Sequence, residues 1–155
     1  QNNTYYLENK YNWAGISIDI EQPMVDIFNN NRKNKCIQAD AITFNWEQYL
    51  MENNFPKKID FLSIDVDFHS HPHANLLALL NLPLTKYQFN IISIEHGSGI
   101  FYEQKKLRDM QRDILSTLGY SLLIRGTSDD IWSYEKINTH NGFDQLSGAK
   151  WWTNL

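Results

Sequence analysis

The chain has 155 residues and a formal net charge of −4, with 42% hydrophobic residues, enough apolar material for a buried core. No long basic run or Lys/Arg-rich helix stands out, so no nucleic-acid surface is indicated, and Cys36 is the only cysteine, which excludes an internal disulfide. No apolar run approaches the roughly 18–20 residues of a membrane span and no signal peptide is visible, so the expectation is a cytoplasmic, single-domain chain over residues 1–155 with no membrane partner.

Asn2-Asn3-Thr4 supplies N-cap chemistry for a short helix from Tyr5 to Lys10, with Leu7 and a tyrosine inward. Ile16 to Asp19 reads as a strand that ends in an acid. Pro23 opens a helix with Met24, Ile27 and Phe28 on one face. Cys36 to Ala39 is a second short strand that closes on Asp40-Ala41, and Thr43 or Asn45 caps a helix whose Trp46, Tyr49 and Leu50 share a face.

The stretch from Ile59 to Asp67 is the centre of the pattern. Phe61, Leu62, Ile64 and Val66 form a β-rich apolar run that finishes in Asp65-x-Asp67, followed by His69, His71 and His73. Ala74 to Leu82 is a leucine-rich helix stopped by Pro83, and Phe89 to Ile94 is a further buried strand ending in Glu95-His96-Gly97. Glu103 to Leu118 is the clearest helix, with Leu107, Met110, Ile114, Leu115 and Leu118 at helical spacing and Gly119 at C′. Tyr120–Ile124 and Ile131–Tyr134 read as strands joined by the turn 126–130, and Trp151-Trp152 as a docked tail. Strands alternating with helices predict an α/β fold: a doubly wound, mostly parallel sheet with helices on both faces and an antiparallel edge made by the final hairpin.

Unpaired carboxylates are costly to bury, so strands that end in them end at a surface or a pocket, and in parallel sheets the carboxyl edge is where ligands bind. Asp19, Asp40, Asp65-x-Asp67 and Glu95-His96 all occupy such ends. An acid there is placed to accept hydrogen bonds from two ribose hydroxyls, and Asp40 beside the small Ala41 suits the edge of an adenine ring. Asp67, Glu95 and His96 then fall where a second substrate reacts, as a general base or as a hard divalent-metal site with one nitrogen ligand. The histidines that follow match no closed zinc spacing, and His71 and His73 are expected at the surface.

Asn3-Thr4-x-x-Leu7-Glu8, Trp13-x-Gly15-Ile16-x-Ile18-Asp19, Ile59 to Asp67, and Phe89-x-Ile91-Ile92-x-Ile94-Glu95-His96 together resemble the FkbM-type S-adenosylmethionine-dependent methyltransferases. Arg108, Arg112 and Gly119-Tyr120 continue the pattern, which runs from about Asn3 to Tyr134. The resemblance implies the Rossmann-like class I methyltransferase fold, with the last two strands as the antiparallel edge. It implies that Asn3, Thr4, Asp19, Glu21, Asp40, Ala41 and Asp65 bind S-adenosylmethionine, with Asp19 or Glu21 on the ribose, Asp40-Ala41 at the adenine and Asp65 near the methionine end. It implies Asp67, Glu95 and His96 on the acceptor side, with a divalent ion such as Mg²⁺ on the same three. The family's first strand and glycine-rich loop are expected immediately before Gln1, and Phe68 to His73 departs from the family pattern.

The implied activity is methyl transfer to a hydroxyl of a sugar, glycan or small metabolite, with His96 or Asp67 as base, or a metal lowering the hydroxyl's pKa. Three other readings share parts of the pattern. Asp65-x-Asp67 also resembles the acids of metal-dependent nucleotide-sugar glycosyltransferases. The same stretch with its histidines resembles metal hydrolases of the arginase and deacetylase kind, and the whole would also suit a non-catalytic methyltransferase-like module.

Overall fold

The computed structural model describes residues 4–66, 71–99 and 101–135, and the fold is α/β. The chain clusters into two compact units, Gln1–Asn45 and Trp46–Leu155, each with its own sheet.

The first unit contains α1 (Tyr5–Tyr11), β1 (Ile16–Asp19), α2 (Gln22–Asn31) and β2 (Lys35–Gln38). β1 and β2 are parallel, in register from Ile16↔Lys35 to Asp19↔Gln38, with α2 as the crossover and Pro23 in its first turn, where no backbone donor is lost. Asn29 ties the helix to the strand, donating to the Cys36 carbonyl at 3.0 Å and accepting its N–H at 2.9 Å.

The inward face of α2 differs from the one expected. Val25 is buried and Phe28 half-buried, while Met24 and Ile27 are 50% and 58% exposed. A helix covering two strands buries only a narrow stripe, so one of the two available apolar registers is used. Val25→Ala is therefore expected to cost about 2 kcal/mol and Ile27→Ala less than about 0.5 kcal/mol. Urea unfolding of the two variants checks this, and equal losses would restore the first assignment. In α1 the tyrosines all face outward, and the buried residue is Glu8.

The second unit contains α3 (Trp46–Glu52), β3 (Lys58–Ile64), α4 (Ala74–Asn81), β4 (Gln88–Glu95), α5 (Gln104–Thr117), β5 (Ser121–Arg125) and β6 (Asp129–Ser133). Its sheet order is β3-β4-β6-β5; β3 and β4 are parallel, and β6 is antiparallel to both of its neighbours. The antiparallel strand thus lies one place in from the edge, which β5 forms. The chain returns from α5 into β5 one strand away from β4, and the turn at 126–128 folds β6 back into the gap. That turn needs glycine: a Cβ on Gly126 would lie 2.1 Å from the Asp129 carbonyl oxygen.

Ile64, Ile92, Ile94, Leu79, Leu115 and Trp132 fill the interior. In α5 the buried places go to Leu115 and to Gln104 and Gln111 rather than to Met110, which is exposed. Gly119 at φ +89° terminates the helix as expected. β3 ends at Ile64, so Asp65 and Val66 leave the sheet, and the Val66 N–H donates to Asn75 Oδ1 at 2.7 Å. Asn3, Asp67, His69 and the tail with Trp151-Trp152 lie outside the described residues. Among the described residues no helix is long and apolar enough to cross a membrane.

Candidate functional site

In the first unit the parallel pairing sets Asp19 and Asp40 at the same ends of neighbouring strands. Asp19, half-buried, accepts the Glu21 N–H on Oδ1 at 2.9 Å. Glu21 is exposed and enters α2 in extended conformation. Asp40 Oδ1 accepts the Ile42 N–H at 2.8 Å, and its carbonyl accepts the N–H groups of Thr43 and Phe44, a local turn that holds Ala41 half-buried beside it. Thr4 is built into the fold instead: it stands at the N-cap of α1 and its Oγ1 accepts Arg32 Nη2 at 3.0 Å.

In the second unit three carboxyl groups stand on successive strands. Asp65 follows β3 directly, the pairing Ile64↔Ile94 brings it level with Glu95, and Glu95 is in register with Asp129 on β6. Burial, the hydrogen bond with Asp65, and the charges of Asp65 and Asp129 push the Glu95 carboxyl up to about 8. It therefore keeps its proton at neutral pH. Asn75 is buried beside them; its Nδ2 makes no hydrogen bond of normal geometry but opposes part of the rise at Glu95. Burial and the charge of Asp65 raise Asp129 in the same direction.

Behind Glu95 the chain turns inward. The His96 side chain is fully buried; its Nδ1 accepts the Ser98 N–H at 3.1 Å, and Nε2 lies 3.5 Å from Asp130 Oδ1. Asp130 is gripped two-pronged by Arg112, Nε to Oδ2 at 2.7 Å and Nη2 to Oδ1 at 2.9 Å. Burial alone would push Asp130 up, but His96 and Arg112 hold it below the ordinary carboxylate range. The loop is pinned as well: the N–H groups of His96 and Gly97 both donate to the Ser128 carbonyl, at 2.7 and 3.0 Å, and Gly99 donates to the Thr127 carbonyl at 2.8 Å.

Of the three residues expected to hold a divalent ion, Asp67 lies outside the described residues, and the fully buried His96 turns Nδ1 to the Ser98 N–H and Nε2, which makes no hydrogen bond, toward Asp130, which leaves Glu95. Among the described residues no group of three His, Cys, Asp or Glu side chains is arranged to hold a metal. His71 and His73 are exposed, with their rings edge to face at 6.4 Å.

Asn75, Asp129 and Asp130 were not expected at this site. The signal for Asp130 is its alternation with Trp132, which puts both on the buried face of a strand. A buried acid needs a cation, and Arg112 supplies it. No protein-family model matches the chain, and neither does any curated protein or solved structure.

Proposed function

We propose that this chain is an S-adenosylmethionine-dependent O-methyltransferase acting on a hydroxyl of a sugar, glycan or small metabolite. The carrying observation is the row Asp65, Glu95 and Asp129 at the strand ends of the second unit, with one proton retained near neutrality. Carboxyls crowded enough to keep a proton favour a ligand that brings positive charge, and the cofactor carries both a sulfonium and an ammonium. When bound, it supplies the activated methyl group.

The chain's own residues have two tasks on this reading. They hold the acceptor hydroxyl in line, and they take its proton onto a carboxylate oxygen of this row. In the first unit, the acceptor oxygens of Asp19 and Asp40 suit a nucleoside. Asp19 has one oxygen engaged by the Glu21 N–H, and Ala41 is small enough to leave room for a ring. The finer fold, a doubly wound Rossmann-like sheet, belongs to the same proposal. It is supported by the helix-linked parallel pairs β1–β2 and β3–β4 and by the final hairpin. No step here passes through a metal.

Calorimetric titration with S-adenosylmethionine and its demethylated product tests the proposal. Binding weakened about tenfold or more in Asp19→Ala is the expected result, since a charge-assisted hydrogen bond is worth roughly 1.5–3 kcal/mol. Binding of a nucleotide sugar instead would overturn it in favour of a glycosyltransferase, and binding of neither by the folded protein in favour of a non-catalytic module.

A further inference from the structure

We propose that Asp130 and Arg112 are positioning residues that hold the His96 ring and, through it, the chain segment that follows Glu95, so that His96 serves as a buried wedge and not as the base. The inference rests on the methyltransferase reading for what Glu95 does, but its geometry is independent of that reading.

The imidazole is closed to a substrate: its side chain is fully buried, and Nε2, which makes no hydrogen bond, faces Asp130. Nδ1 accepts the Ser98 N–H at 3.1 Å, which places the proton of the neutral ring on Nε2, toward Asp130 Oδ1 at 3.5 Å. The fork from Arg112 on α5 fixes the Asp130 carboxylate, so ring orientation, strand β6 and helix α5 are set together. Ser98 is held from the same helix, its Oγ accepting Arg108 Nη1 at 3.1 Å. Gly97 at φ +57° makes the bend that lets His96 and Gly97 share the Ser128 carbonyl. A Cβ on Gly99 would lie 2.4 Å from the Thr127 carbonyl oxygen, so the loop closes against the 126–128 turn with no room for a side chain. Glu95 is the residue immediately before this clamp, and its register with Asp129 depends on β6 staying where Asp130 holds it.

The test is nuclear magnetic resonance of the full chain with ¹⁵N-labelled histidine, at neutral pH, in wild type and in Asp130→Asn. The wild-type ring of His96 is expected as the Nε2–H tautomer. In the variant, Arg112 claims the carboxamide oxygen and turns its NH₂ group toward Nε2, so the ring is expected to switch to Nδ1–H and to release Ser98. A wild-type ring protonated on Nδ1, or an unchanged tautomer in Asp130→Asn, overturns the proposal.

Arg112→Lys is the second variant, used also if Asp130→Asn does not fold. It keeps the charge and loses the fork, and should shift the His96 signals partway; unmoved signals overturn the proposal. In both variants, affinity for S-adenosylmethionine should change less than about threefold. Failure of wild type to bind S-adenosylmethionine defeats the functional reading and leaves the tautomer result to decide the positioning role.

Discussion

Glu95→Gln is expected to make the protein more stable at mildly alkaline pH and to flatten its loss of stability as pH rises. The sign follows from proton counts. In the unfolded chain Glu95 gives up its proton near 4.5, whereas in the folded protein it holds it up to about 8. Between those values the folded state binds more protons than the unfolded one, so stability falls with rising pH, and the loss is complete once pH passes the folded value. The span sets a ceiling of roughly 5 kcal/mol, and relaxation around a half-buried group brings the expected effect to about 2–3 kcal/mol. Glu8 and Asp130 do not blur the window. Both are held below the ordinary carboxylate range, so the stability they add is present above their unfolded values and lost only in acid. Urea unfolding of wild type and variant at about pH 5 and about pH 8 gives the difference directly. Parallel changes in the two proteins would show that Glu95 is not the titrating group, and would remove the observation on which the functional proposal rests.

The elements of this fold were legible because their punctuation is local. Pro23, Pro83 and Gly119 mark helix ends, and runs such as Phe89 to Ile94 have the length and β-branching of buried strands. The choice of buried face was less legible. Val25 and Met24 offer α2 two apolar registers, and only packing on β1 and β2 selects between them. In α5 the inward places of Gln104 and Gln111 are fixed by carbonyls of other segments, Pro72 at 3.2 Å and Glu95 at 3.5 Å. The acids on β3 and β4 were visible as strand ends, yet Asp129 and Asp130 look like turn residues until the hairpin is inserted beside β4. The sequence also suggested an inward tyrosine in α1, where an acid is buried instead.

That acid carries the second large effect. Glu8 is 2% exposed and its carboxylate is fully used: Arg32 Nε donates to Oε2, and the N–H groups of Lys33 and Asn34 donate to Oε1. Burial pushes the Glu8 carboxyl up, but Arg32 and these backbone donors hold it below the ordinary range. Arg32 is itself enclosed, its guanidinium 4.5 Å from the Phe28 ring centroid and bonded to Thr4. Arg32→Met removes the cation and leaves a buried charge, which is expected to cost about 3–5 kcal/mol. Glu8→Gln in the same chain should recover part of that loss, because a neutral amide can still accept the Lys33 and Asn34 N–H groups. The double-mutant cycle should therefore show strong coupling, on the order of 2 kcal/mol. Hydrogen exchange at the Lys33 and Asn34 amides locates it, with protection lost in Arg32→Met and partly regained in the double variant. Additive losses with unchanged exchange would mean that Glu8 reaches water when its partner is removed. The entry to β2 would then be held by the Asn29–Cys36 bonds and by the Asn34 side chain, which accepts the Gly15 N–H and donates to the Trp13 carbonyl.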